Sequence, residues 1–206
     1  MIGNDIVDRA QAKRESNWQR KGFLDKLFTP SEQQLIQRAR DPECLVWTLW
    51  SMKESAYKAT TRKTEKRVFN PTKISCTLEM WSDEAVDGFV VYEEEYRTRS
   101  LITPDYIASI AFSVHTLPIP NQVIIPFERI DYHHQSTQLR TSVLEHYATV
   151  SPVSEKKLQV CSDKNGSPIL VIKDPLQETV CIPISISHHG HYGAFSIAHS
   201  VFMLPD

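Results

Sequence analysis

The chain has 206 residues, 41% hydrophobic and 23% charged, enough for one large domain or two small ones with an adequate core. A net charge of −2 excludes a global electrostatic pull toward nucleic acid or anionic membrane, so any anion site must be local. No stretch approaches the roughly 18 apolar residues of a membrane span, "MIGNDIVDRAQAKRES" lacks a signal-peptide pattern, and the four widely spaced cysteines form no CxxC. The expectation is a soluble cytoplasmic protein with reduced thiols.

In chain order, "IGNDIVD" reads as a short alternating strand. "FTPSEQQLIQRAR" opens like a helix, with Thr29 as cap, Pro30 at the first position and Glu32 three residues after the cap. "DPECLVWTLWSMKESAYKATTRK" repeats that grammar with Asp41 and Pro42, and Val46, Leu49, Trp50, Ala56 and Tyr57 follow helical spacing. Three strand-like runs follow: "TKISCTLEM", "DGFVVYEEEYR" and "YIASIAFSVH". The proline-rich "TLPIPNQVIIP" reads as a bridge between two units. Beyond it come a helix near "STQLRTSVLEHYATV", strand "KLQVCS", a turn at Asn165-Gly166, strand "PILVIK" and a final pair around "CIPISISHHGHYGAFSIAHS". "DYIASIAFSVH" and "HYGAFSIAHSV" resemble each other, which suggests a duplication into α+β units 1–117 and 118–206.

Three constellations could carry chemistry. Asp5 sits mid-strand, where Asp is disfavoured. With Glu54 from the long helix it could supply the one or two carboxylates that Mg²⁺ takes beside phosphate oxygens. The plainer alternative is a turn-side Asp and a solvated Glu54 paired to Lys58 at i, i+4. Lys53 and Lys58 would suit a phosphate-bearing ligand, or be an ordinary snorkelling pair. In "SISHHGHYG", strand alternation points His188 and His189 opposite ways and argues against a three-His zinc site. One His with Ser187 could instead donate to an anion beside the turn at Gly190, or the stretch is simply a polar hairpin end. There is no GxSxG, P-loop or GxGxxG.

Together Gly3-Asn4-Asp5-Ile6-Val7, Trp50 to Lys58 ("WSMKESAYK") and Ile184-Ser185-Ile186-Ser187-His188 resemble the 4′-phosphopantetheinyl transferase superfamily. The helix motif is the specific one, and "FTPSEQQLI" and "FNP" also look like the family. The resemblance implies an α+β fold of two pseudo-symmetric units, each a small, mostly antiparallel sheet packed with helices. The first unit would carry the GxD strand and the metal helix, the second the NGSP turn and the ISISH strand. It implies Mg²⁺-dependent transfer of phosphopantetheine from coenzyme A to a serine of an acyl or peptidyl carrier protein, in fatty acid, polyketide or nonribosomal peptide synthesis, with release of adenosine 3′,5′-bisphosphate. Asp5 and Glu54 match the metal ligands, and Glu54 and Lys58 the catalytic positions. Lys53, Lys58, Ser187, His188 and Arg140 are the candidate coenzyme contacts. A monomer is expected, with no nucleic acid or membrane partner.

The sequence departs from the family in three places. Val7 stands where larger members carry a second acid, so water or Asp8 would complete the metal shell, although alternation points Asp8 away. Ser167 stands where many members have a phosphate-binding lysine, and Arg140 is the candidate to compensate. The GxD strand opens the chain and ISISH nearly closes it, which implies a circular permutation. A non-catalytic homologue that binds coenzyme A or a carrier, and an unrelated Mg²⁺-dependent phosphohydrolase, are the rival readings.

Overall fold

In the computed structural model, which describes residues 1–64, 68–116, 118–173, 179–198 and 202–203, the chain makes two antiparallel sheets. The first comprises β1 (Ile2–Asp8), β2 (Ser75–Trp81), β3 (Ala85–Tyr92), β4 (Glu94–Ile102) and β5 (Tyr106–Ser113), in the order β1-β5-β4-β3-β2. Between β1 and β2 run α1 (Arg9–Glu15), α2 (Phe23–Leu27), α3 (Pro30–Arg38) and the 23-residue α4 (Pro42–Thr64). The second sheet holds β6 (Gln122–Pro126), β7 (Leu158–Ser162), β8 (Pro168–Ile172), β9 (Val180–His189) and β10 (Tyr192–Ile197), with α5 (Tyr132–Val150) after β6. Its order is β6-β10-β9-β8-β7, and a short β11 (Phe202–Met203) pairs with β9. Each sheet therefore follows one path: a strand, one or more helices, then four strands, the last returning to pair with the first. The resembling segments fall on β5 and β10, the equivalent strands.

Local chemistry starts the helices as expected. Thr29 and Glu32 close a capping box on α3, and Asp41 Oδ1 accepts the Cys44 N–H at the start of α4 (3.0 Å). One side of α4 buries Val46, Leu49, Met52, Ala56 and Ala59 against Val86, Val90 and Ile107 of the first sheet. Burying each larger side chain contributes roughly 1.5–3 kcal/mol. Gly3 lets α4 press directly on β1, because a Cβ there would lie 2.1 Å from the Ser55 carbonyl oxygen. A separate core in the second unit gathers Phe127, Leu139, Val143, Ile184 and Phe195. Ile6, Ala108 and Ala194, and Ile2, Ile110, Phe112 and Ala198, form apolar clusters shared by the two sheets.

Several details differ from the sequence reading. "DGFVVYEEEYR" is two strands, since the chain reverses at Glu93 with φ +58°. No Gly or Asn marks that turn, so the usual signal is missing. The proline-rich bridge contains edge strand β6, tolerated because Pro118 and Pro120 precede it and Pro126 ends it. The helices α1 and α2, seven and five residues long, are too short for their periodicity to stand out. The expected unit boundary at residue 117 lies outside the described residues. Among the described residues, no helix is long and apolar enough to cross a membrane.

Candidate active site

Strand alternation turns Gly3, Asp5 and Val7 toward α4 and Asn4, Ile6 and Asp8 toward the second unit. On α4, Glu54 and Lys58 are one turn apart and meet Asp5. Asp5, Glu54, His188 and His189 line one cavity of about 310 Å³, walled by Trp47 and Trp50. The Lys58 ammonium donates to the Asn4 carbonyl (2.9 Å) and to Asp5 Oδ1 (3.1 Å). Lysine thus bridges helix to strand, and the solvated Glu54–Lys58 pair considered from sequence is not what forms.

The electrostatics follow from two acids sharing one lysine. Burial, reinforced by the Asp5 charge and opposed by Lys58, pushes the Glu54 carboxyl up to about 7. Burial also raises Asp5, against the pull of Lys58. Two crowded carboxylates are a hard-oxygen donor set short of positive charge, which suits a divalent cation such as Mg²⁺. No group of three or more His, Cys, Asp or Glu side chains that could hold a metal assembles among the described residues. Val7 is 4% exposed and packs in the first core, so it contributes no ligand.

At the rim, His188 is pushed down by burial and by the neighbouring Lys58 and His189, which keeps its imidazole neutral at pH 7. The Tyr132 ring packs edge-on against it at 5.6 Å. His189 lines the cavity too, because both residues lie at the strand end. Its Nδ1 accepts the Asp8 N–H (3.0 Å), which leaves Nε2 as the donor toward Glu15 Oε2 (3.2 Å). His191 is bound to the Phe127 carbonyl (3.0 Å), so the three histidines serve different partners. Asp8 is occupied elsewhere, as alternation suggested: Oδ1 caps α1 at the Gln11 N–H and Oδ2 accepts the His191 N–H, both at 2.8 Å.

Three of the sequence candidates lie away from the cavity. Lys53 is fully buried: its ammonium pairs with Glu32 (2.7 Å) and donates to the carbonyls of Leu27 (2.9 Å) and Pro71 (2.7 Å). All three of its donors are engaged by partners inside the fold, away from the cavity. Ser187, 6% exposed, accepts from the Asn4 side chain (3.1 Å) at the seam between units. Arg140 on α5 donates to the Val160 carbonyl of β7 (3.4 Å), two strands from β9, and does not line the cavity. Conversely, the sequence reading missed Arg62, one further turn along α4. It donates to the carbonyls of Pro168 (3.1 Å) and Ile184 (2.5 Å) in the second unit. The spacing Glu54, Lys58, Arg62 was the available signal.

Comparison with curated proteins finds no match for the chain. A family model, the 4′-phosphopantetheinyl transferase superfamily, matches residues 1–111, more than half of the chain, and that span includes β1, α4 and both acids of the cavity. The chain therefore belongs to the 4′-phosphopantetheinyl transferase superfamily.

Proposed function

We propose that this protein transfers the 4′-phosphopantetheine arm of coenzyme A to a serine of an acyl or peptidyl carrier protein, with Asp5 and Glu54 as ligands of a catalytic Mg²⁺. The observation that carries the reading is the pair of acids held in one cavity, with the Lys58 ammonium bound to Asp5 beside them. Bound there, Mg²⁺ would neutralise charge on the coenzyme's pyrophosphate. Lys58 spends two of its three donors on Asn4 and Asp5, and the third is directed to a phosphate oxygen. The serine oxygen forms a bond to the phosphorus that carries the pantetheine arm. The bond from that phosphorus to the bridging oxygen breaks, and adenosine 3′,5′-bisphosphate leaves with the electron pair. The serine proton would pass to a carboxylate of the site, directly or through a water. Neutral His188 donates a hydrogen bond to a nucleotide phosphate at the rim. Lys53, Ser187 and Arg140 have no part in this arrangement.

The test is incubation with coenzyme A, Mg²⁺ and a panel of apo-carrier proteins, read by intact-mass spectrometry of the carrier. Transfer should occur with the wild type and vanish in Glu54→Gln. Retained transfer in that variant would overturn the assignment of Glu54. The buried Val7, which denies the site a third acid, favours one second reading: a homologue that binds coenzyme A without turnover. That protein would bind coenzyme A and modify no carrier.

A further inference from the structure

We propose that Arg62 is a positioning residue that fixes the register of β9 against α4, and so holds His188 opposite Glu54 across the coenzyme cavity. The coenzyme part of this inference rests on the function proposed above. At about 100° per residue, Glu54, Lys58 and Arg62 lie within roughly 80° of one another around α4, and each meets a different layer. Glu54 faces the cavity, Lys58 holds β1 at the Asn4 carbonyl, and Arg62 crosses to the second sheet.

The two Arg62 acceptors lie where the β8–β9 pairing stops, just past the Ile169–Pro183 pair. Pro168 has no N–H to give across the ladder. Arg62 supplies donors at that point from a different unit, joining the carbonyls of both strands with one planar fork. A second link runs through β1: the Asn4 N–H donates to Ser185 Oγ (2.9 Å) while the Asn4 carbonyl holds Lys58.

The lengths of the two arms match. From Arg62 to Glu54 is eight helical residues, about 12 Å. From Ile184 to His188 is four strand residues, about 13 Å. Both arms end at the same cavity. Arg62 therefore anchors the far end of a frame whose near end is the site, and a small slip there would be felt at His188. The cost of the arrangement is visible, since Arg62 Nε is buried without a hydrogen-bond partner among the described residues.

The experiment compares wild type, Arg62→Met and Arg62→Lys in two measurements: hydrogen exchange across residues 182–188 without ligand, and calorimetric titration of coenzyme A with Mg²⁺. Losing the two charged hydrogen bonds should speed exchange in β9 and weaken coenzyme A binding, each by about tenfold or more, while exchange in α4 stays as in wild type. Lys, which cannot span both carbonyls, should restore neither. Unchanged β9 exchange in Arg62→Met, or full recovery in Arg62→Lys, would overturn the proposal. If wild type bound no coenzyme A, the functional reading and the coenzyme arm would fall together. The exchange result would still decide whether Arg62 sets the register of β9.

Discussion

Glu54 and Asp5 crowd together with one lysine, Lys58, to offset their charge, and that imbalance has a measurable sign. The folded Glu54 carboxyl holds its proton up to about 7, against an ordinary value of 4.5. Between those pH values the folded state binds more protons than the unfolded one, so stability is lost as pH rises through this window. The contribution is on the order of 3 kcal/mol at most. In metal-free buffer the melting temperature should therefore carry a component that falls from pH 5 to pH 8. Glu54→Gln should remove that component and melt higher than wild type at pH 8. A variant that melts lower at pH 8 would contradict the strained ionisation. Added Mg²⁺ should reverse the trend, raising the melting temperature more at pH 8 than at pH 5.5, because the ligand must be ionised to bind. Equal Mg²⁺ stabilisation at both pH values would argue against a site on these carboxylates.

At the scale of elements, the Lys53–Glu32 pair ties four segments together. Glu32 accepts from the Thr29 and Cys76 N–H groups (both 2.8 Å), while Lys53 reaches the Leu27 and Pro71 carbonyls. The α2–α3 junction, α4, the turn after Phe69 and β2 are thus held by one buried ion pair. Removing one partner leaves an uncompensated charge, and Lys53→Met or Glu32→Gln should each cost about 3–5 kcal/mol in urea unfolding. The double variant Glu32→Leu/Lys53→Met should cost much less than the sum of two single losses. Additive costs would mean the two residues do not act as a pair. The contact between α4 and β1 is as tightly constrained. In Gly3→Ala the new methyl meets the Ser55 carbonyl at 2.1 Å and the Ala59 nitrogen at 2.6 Å, both rigid helix backbone. The helix must shift, at a cost of roughly 1–3 kcal/mol, and Glu54 shifts with it. Melting temperature and coenzyme A affinity should fall together, whereas an unshifted melting temperature would show that the helix can yield there without cost.

For the molecule as a whole, the seam between the sheets decides cooperativity. It combines the apolar clusters around Ile6 and Ile110 with directed bonds from Asn4, Asp8 and Arg62. Gly190, at φ +55°, leaves room for Asp8: a Cβ there would lie 2.2 Å from its carboxylate oxygen. A seam of this kind should make the two units unfold together, as one calorimetric transition with matching calorimetric and van't Hoff enthalpies. Two resolved transitions would mean that the units are thermodynamically independent and that their cavity is only loosely held.

What the sequence by itself determined lies in its local and periodic features. The caps at Thr29 and Asp41 and the apolar spacing of α4 specify helices from nearby residues alone. The Lys-Glu motif and the mid-strand Asp5 pointed to the two acids, and the resembling strands pointed to a repeated topology. The tertiary structure alone decided which polar groups remain available for chemistry. Lys53 and Lys58, alike in sequence, are about 140° apart around the helix, so one is consumed in the core while the other faces the site. Ser187 and Arg140 are engaged by partners that their local sequence does not name, the Asn4 side chain across the seam and the Val160 carbonyl of β7. Arg62 carries no local mark of its role, because its acceptors are more than 100 residues away. Burial and hydrogen bonding between distant segments are set by how the sheets pack, and no local pattern encodes that.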